Sequence, residues 1–231
     1  MNAKPKKHHY VPQLILKNFC FDKKHLYVLD KKTGAVFTPS LIDAGSENHF
    51  YDNDERWYKQ NTELKLSALE SVCAPILDKI TNAESLTSIT ENEHAVICLF
   101  VAVQMLRTND ERTAIRQLNS TICAWARRSG YDPNKDIENF QELSEEDVKR
   151  YSIHVLRTIP GELAKRICEK EWCLLKAGFG EGFYISDNPV TMYNHFPRPG
   201  RGNLGLALKG IEVHFPISPR LWVSFVCPQT I

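Results

Sequence analysis

The sequence predicts an α+β fold, with a helical middle and a small, mainly antiparallel sheet from the C-terminal third. Three observations support this. Apolar residues recur at spacings of three and four from about Glu63 to Cys168. Short β-prone runs, separated by Gly, Pro, Asn and Ser clusters, follow from Trp172 onward. The composition is that of a globular protein: 231 residues, 29 Lys+Arg against 28 Asp+Glu, and 42% hydrophobic residues. Such balanced charge excludes a strongly basic nucleic-acid coat protein and a highly charged disordered chain, though not a local basic patch. A chain of this length needs no metal or disulfide to hold a core. One domain is expected over 1–231: a basic arm at 1–10, a short helix and hairpin at 11–60, a helical core at 61–168 and the sheet region at 169–231.

Val11, Leu14, Ile15 and Phe19 are spaced for a short helix that Pro12 can open. Leu26 to Leu29 and Ala35 to Thr38 flank the polar loop Asp30 to Gly34, which reads as a hairpin. Ser40 to Tyr51 has no period and is expected to be irregular. Leu66, Leu69, Cys73, Ile76, Leu77 and Ile80 then mark a helix that Pro75 should bend. Thr90 and Glu93 form a capping-box signature before Ala95 to Leu106, a run apolar nearly all round. That helix should be the most buried element, and it is expected to continue through Ile115, Leu118, Ile122 and Trp125 to Ser129-Gly130. Ser144 with Asp147 starts another helix, interrupted at Pro160-Gly161. Trp172–Ala177, Gly182–Ser186, Ile211–Phe215 and Leu221–Val226 are the expected strands. The Gly/Pro-rich stretch Asn194 to Gly210 should be an exposed loop.

Seven cysteines, with no Cys-x-x-Cys pair, read as reduced, buried thiols. The N-terminus lacks the apolar segment of a secretory signal, and the longest apolar run, Ala95 to Val103, falls far short of the ~20 residues that span a bilayer. The expectation is a cytoplasmic protein with no membrane partner.

Few side chains are candidates for chemistry. His8 and His9 are adjacent, so they point to different sides of any regular backbone. They belong either to a weakly ordered basic arm or to a site in which one imidazole acts as acid, base or metal ligand while Lys6, Lys7 and Lys17 attract phosphate. Ser186-Asp187-Asn188-Pro189 is good turn chemistry, but a strand-end carboxylate and amide are also well placed to reach a ligand. Glu63 and Glu70 share one helical face, and Glu70 borders the apolar stripe; Gln104 and Arg107 interrupt the most apolar helix. A buried charge needs a partner, so Glu70 and Arg107 are expected to pair between their helices. Phosphate-loop, dinucleotide, zinc-protease and esterase motifs are missing, and no Cys/His zinc spacing is evident. The Arg198–Arg201 loop reads as surface loop before phosphate cradle.

Taken together, His8-His9-Tyr10-Val11-Pro12-Gln13, Leu16-x-Asn18-Phe19, the hairpin, the Glu63/Glu70 helix, Gln104-x-x-Arg107-Thr108, Trp172, Ser186-Asp187-Asn188-Pro189 and Phe215-Pro216-Ile217-Ser218-Pro219 resemble the bacterial family called domain of unknown function 4238. The resemblance spans nearly the whole chain and implies that these polar marks converge. His8, His9, Asp187 and Glu70 are then the catalytic candidates, and Gln13, Gln104, Arg107 and Asn188 the substrate-binding ones. Those residue types suit phosphodiester hydrolysis by a nuclease-like effector of bacterial defence or toxicity. In that reading a His moves a proton, Glu70 or Asp187 holds a divalent metal ion, and Arg107 steadies phosphate charge. The alternative is a non-catalytic module that binds nucleic acid or a partner protein. In either case the arm should fold back to bring His8 or His9 within reach of Asp187 or Glu70.

Overall fold

The computed structural model describes residues 7–52, 62–196 and 204–228. Lys6 and the Arg198–Arg201 loop lie outside the described residues. The chain begins with strand β1 (Lys7–His9), helix α1 (Gln13–Leu16) and a 3₁₀ turn, then the pair β2 (Val28–Leu29) and β3 (Val36–Phe37), and β4 (Ser46–Asn48). Five helices follow: α2 (Thr62–Ala83), α3 (Glu91–Leu106), α4 (Asn109–Arg128), α5 (Glu145–Thr158) and α6 (Pro160–Cys168). Strands β5 (Glu171–Lys176), β6 (Thr191–Asn194), β7 (Ile211–Pro216) and β8 (Leu221–Val226) form an antiparallel sheet in the order β5-β8-β7-β6. The architecture is α+β.

Alternation along the strands decides which face of the sheet is covered. Trp172 and Leu174 of β5, Val213 and Phe215 of β7, and Leu221, Val223 and Phe225 of β8 all turn to one core. Against them pack Ile97, Phe100 and Val101 of α3, Cys73, Leu77 and Ile80 of α2, and Ala164 and Ile167 of α6. Phe100 meets Phe215 edge-on, with ring centroids 6.0 Å apart. Helix α3 is thus the central helix, buried from Ile97 through Gln104 except for half-buried Leu99; Ala95, near its start, is exposed. Its capping box forms as expected. Thr90 Oγ1 accepts the Glu93 N–H at 3.3 Å, and Glu93 Oε2 accepts the Thr90 N–H at 2.8 Å.

Four expectations are corrected. The helix beginning at Glu91 does not run on to Trp125. Arg107 ends it at φ −91°, ψ 0°, and Thr108 re-caps the chain by accepting the Glu111 N–H, so α4 starts anew. On α4 the inner face is then Arg112, Cys123 and Ala126, leaving Leu118 and Trp125 outside. The second strand of the sheet in chain order is Thr191–Asn194 rather than Gly182–Ser186, because pairing with β7 begins only at Thr191↔His214, after Pro189, which has no N–H to give. The basic arm and the stretch before Tyr51 are not irregular throughout: β1 pairs with β4 (His8↔Glu47), while the β2–β3 hairpin stays a separate two-stranded sheet. Nor are all the thiols buried: Cys173 is exposed, and Cys20 and Cys168 are half-buried. No helix among the described residues is long and apolar enough to cross a membrane.

Candidate functional site

Strand β1 gives the paired histidines opposite orientations. Gly45 makes its docking possible, because its carbonyl accepts the N–H groups of both Tyr10 and Val11, at 2.9 and 3.1 Å. Gly45 has φ +59°, and a Cβ there would sit 2.9 Å from the Val11 Cβ, so only glycine fits without displacement. His8 turns inward. Its Nδ1 accepts the backbone N–H of Tyr51 at 2.9 Å, its ring stacks on the Tyr51 ring, and its Nε2 faces Asp52 Oδ1 at 3.7 Å. An Nδ1 that accepts is unprotonated, so His8 serves as a neutral structural plug in this geometry.

His9 has a different environment. It is half-buried, and the Gln13 side-chain amide lies 3.1 Å from its Nε2. Burial lowers its pKa below the ordinary 6.5; hydrogen bonding with the Ile42 backbone works the other way, and the Arg107 charge reinforces burial. The imidazole is therefore a neutral base at pH 7. Its backbone carbonyl, meanwhile, accepts from Arg107 Nη2 and from the Tyr51 hydroxyl.

Arg107 is the hub. It is 2% exposed, at the break between α3 and α4. Nη1 donates to Glu70 Oε1 at 2.7 Å, Nη2 to the His9 carbonyl and Nε to the Tyr51 hydroxyl at 3.3 Å. Burial opposes its charge, but Tyr51 and Glu70 outweigh that and hold its pKa above the ordinary value. The interhelix Glu70–Arg107 pair expected from the sequence is present. One helical turn before Arg107, Gln104 is fully buried, and neither its Oε1 nor its Nε2 has a hydrogen-bond partner among the described residues. Glu63, also near the Arg107 and Glu70 charges, has its carboxyl pKa pushed up by burial, with Arg107 opposing and Glu70 adding to the rise.

Asp187 and Asn188 are related to Tyr10 and to the first turn of α4 rather than to Arg107 itself. The turn satisfies itself: Ser186 Oγ donates to the Asn188 carbonyl at 2.6 Å and accepts the Asn188 N–H at 3.2 Å. The Asn188 amide also donates to Asp110 Oδ2 at 3.2 Å. Asp187 is exposed, and its charge helps burial raise the Tyr10 phenol pKa. The arm packs back against the end of α3, with Arg107 bridging Glu70 to the His9 backbone carbonyl rather than to its imidazole, and Asp187 acting through its charge on the Tyr10 phenol.

Sequence reasoning missed Tyr51, which contacts His8, His9 and Arg107, and Arg112. Arg112 donates to the Phe50 carbonyl at 3.0 Å and lies 3.7 Å over the Phe50 ring. Their only signal was the aromatic run His49-Phe50-Tyr51 in an otherwise aperiodic stretch. The described ligand atoms close enough together to share a metal ion are those of His94, Cys98 and Cys168, toward the other end of α3, rather than Glu70 and Asp187.

The lowered His9 pKa sets a pH dependence. Between that value and 6.5 the unfolded chain binds the extra proton and the folded chain does not, so stability rises with pH across the window. This contribution is complete above about pH 6.5 and is lost as pH falls. Half-buried His94 and His214 act with the same sign. Urea midpoints are expected to drop between about pH 7 and 5, and His9→Gln should flatten that drop. A midpoint independent of pH there would contradict the assignment.

Fold and site together define an α+β protein whose polar centre is a half-buried imidazole beside a buried guanidinium–carboxylate pair. The chain belongs to the family described as protein of unknown function (DUF4238), whose model it matches over residues 7–230. No curated protein and no solved structure matches it.

Proposed function

We propose that the polar centre hydrolyses phosphodiester bonds in nucleic acid, with His9 as the base that takes a proton from the attacking water. The observation that carries this reading is the His9 imidazole itself: neutral, half-buried, and fixed at its own carbonyl by a buried positive charge. Gln13 orients the ring and yields when water or substrate takes the Nε2 position. Arg107 spends its N–H groups on Glu70, His9 and Tyr51, so it acts as a positioning residue whose charge favours an anion nearby. Asn188, half-buried at its turn, supplies an amide for the substrate, whereas Gln104 is fully buried and supports the centre from behind. Asp187, exposed beside Tyr10, is the carboxylate open to a divalent ion arriving with the phosphate.

Incubating the purified chain with single- and double-stranded DNA and RNA, with Mg²⁺, Mn²⁺ or chelator, tests this directly. His9→Ala is expected to lower cleavage by about 10²–10⁴-fold. Cleavage undiminished in His9→Ala would overturn the role of His9. The burial of Arg107, which keeps its charge from direct contact with a substrate, also favours a second reading, a non-catalytic module for nucleic acid or a partner protein. Tight binding with no turnover of any substrate would select that reading.

A further inference from the structure

His94 and Cys98 stand four residues apart on α3 and so share one helix face, with Cys98 Sγ 3.5 Å from His94 Nε2. Cys168 ends α6, which packs along α3, and its thiol lies against that of Cys98. The three ligand atoms are all within 4.8 Å of one another. A tetrahedral zinc ion with bonds of about 2.3 Å to sulfur and about 2.0–2.1 Å to nitrogen needs sulfur and nitrogen about 3.6 Å apart and two sulfurs about 3.8 Å apart. The His94–Cys98 spacing already meets the first requirement. We propose that His94, Cys98 and Cys168 form a zinc site that pins the end of α6 to the beginning of α3.

Donor chemistry supports this choice of metal. Two thiols and an imidazole, with no carboxylate in the group, select a thiophilic ion over Mg²⁺ or Ca²⁺. Binding one Zn²⁺ with release of one proton from each thiol gives two thiolates and a neutral imidazole around a dication, so the centre has no net charge. That neutrality suits its surroundings, where the His94 ring lies 4.3 Å from the Trp172 ring and 6.3 Å from the Phe225 ring. Cys98 is fully buried, whereas His94 and Cys168 are only half-buried, which leaves an open side for a water as fourth ligand. His94 and Arg107 are separated by about 20 Å of helix, so this site does not depend on the reading given to His9. The sequence hides it because Cys168 lies seventy residues beyond Cys98, outside any compact zinc spacing.

The purified chain, reduced and stripped of metal, is titrated with Zn²⁺ against a competing chelator and separately with Co²⁺. One metal per chain and a thiolate-to-cobalt charge-transfer band are expected. His94→Gln and Cys168→Ser should each weaken binding by more than about 100-fold, beyond the loss typical of outer-shell changes. Cys123→Ser, outside the cluster, should leave binding unchanged. Circular dichroism of Cys168→Ser confirms that the variant folds, and the cobalt band of the unmodified chain gives a readout independent of any variant. Failure of the reduced chain to bind either metal would overturn the site. So would full binding by Cys168→Ser, or isolation of the chain as a Cys98–Cys168 disulfide that binds no metal after reduction.

Discussion

Arg107→Ala is expected to lower the unfolding free energy by about 3 kcal/mol, the low end of the range for losing one partner of a buried ion pair. The low end applies because the Glu70 side chain is 26% exposed and can regain water once abandoned. Two further groups lose their donor at the same time, the His9 carbonyl and the Tyr51 hydroxyl, and β1 loses its tie to α3. Urea denaturation measures the loss. The double variant Arg107→Met with Glu70→Met should recover part of it, since an apolar pair leaves no stranded charge. An Arg107→Ala chain within about 1 kcal/mol of the unmodified protein would show that the hub contributes little.

Phe100→Ala should cost about 3–5 kcal/mol, as large aromatic truncations in packed cores do. Phe100 and Phe215 are both completely buried, and their edge-on contact links the central helix to the middle of the sheet. Phe215→Ala should cost a similar amount. The two losses should not add, because each variant opens the same cavity from a different side. Additive losses in a double-mutant cycle would mean that the rings stabilise separate regions.

What was legible in the sequence follows from where the information resides. Glu70 and Arg107 each interrupt an apolar face, and an unpaired buried charge is costly enough that their pairing could be inferred across 37 positions. Capping boxes are local, so Thr90/Glu93 and Ser144/Asp147 could be read directly. The break at Arg107 was obscured because apolar periodicity continues across it, although Thr108-Asn109-Asp110-Glu111 is itself a cap signature. Strands β1 and β4 are short and polar, with no alternation to announce them; docking at Gly45 and Tyr51 holds them instead. For the site, the family resemblance implied that the histidines meet Glu70 and Arg107, whereas the residue types themselves pointed only to the Glu70–Arg107 pair. Neither indicated that His8 would be tied to the Tyr51 backbone, leaving His9 as the ring with a base's environment, because that depends on which face of β1 is buried.

One hydrogen bond carries a consequence for how the protein is made. The Asn18 amide donates to the Ile217 carbonyl at 2.8 Å, spanning 199 positions, and Ile15 shares a core with Phe215 and Val223. At synthesis rates of about 5–20 residues per second, Asn18 waits about 10–40 s for its acceptor to be polymerised. Throughout that interval Leu14, Ile15 and Phe19 lack the sheet they will pack against. A ribosome stalled late in the message therefore holds a chain with its first apolar helix uncovered, which makes that segment the natural point of engagement for a chaperone.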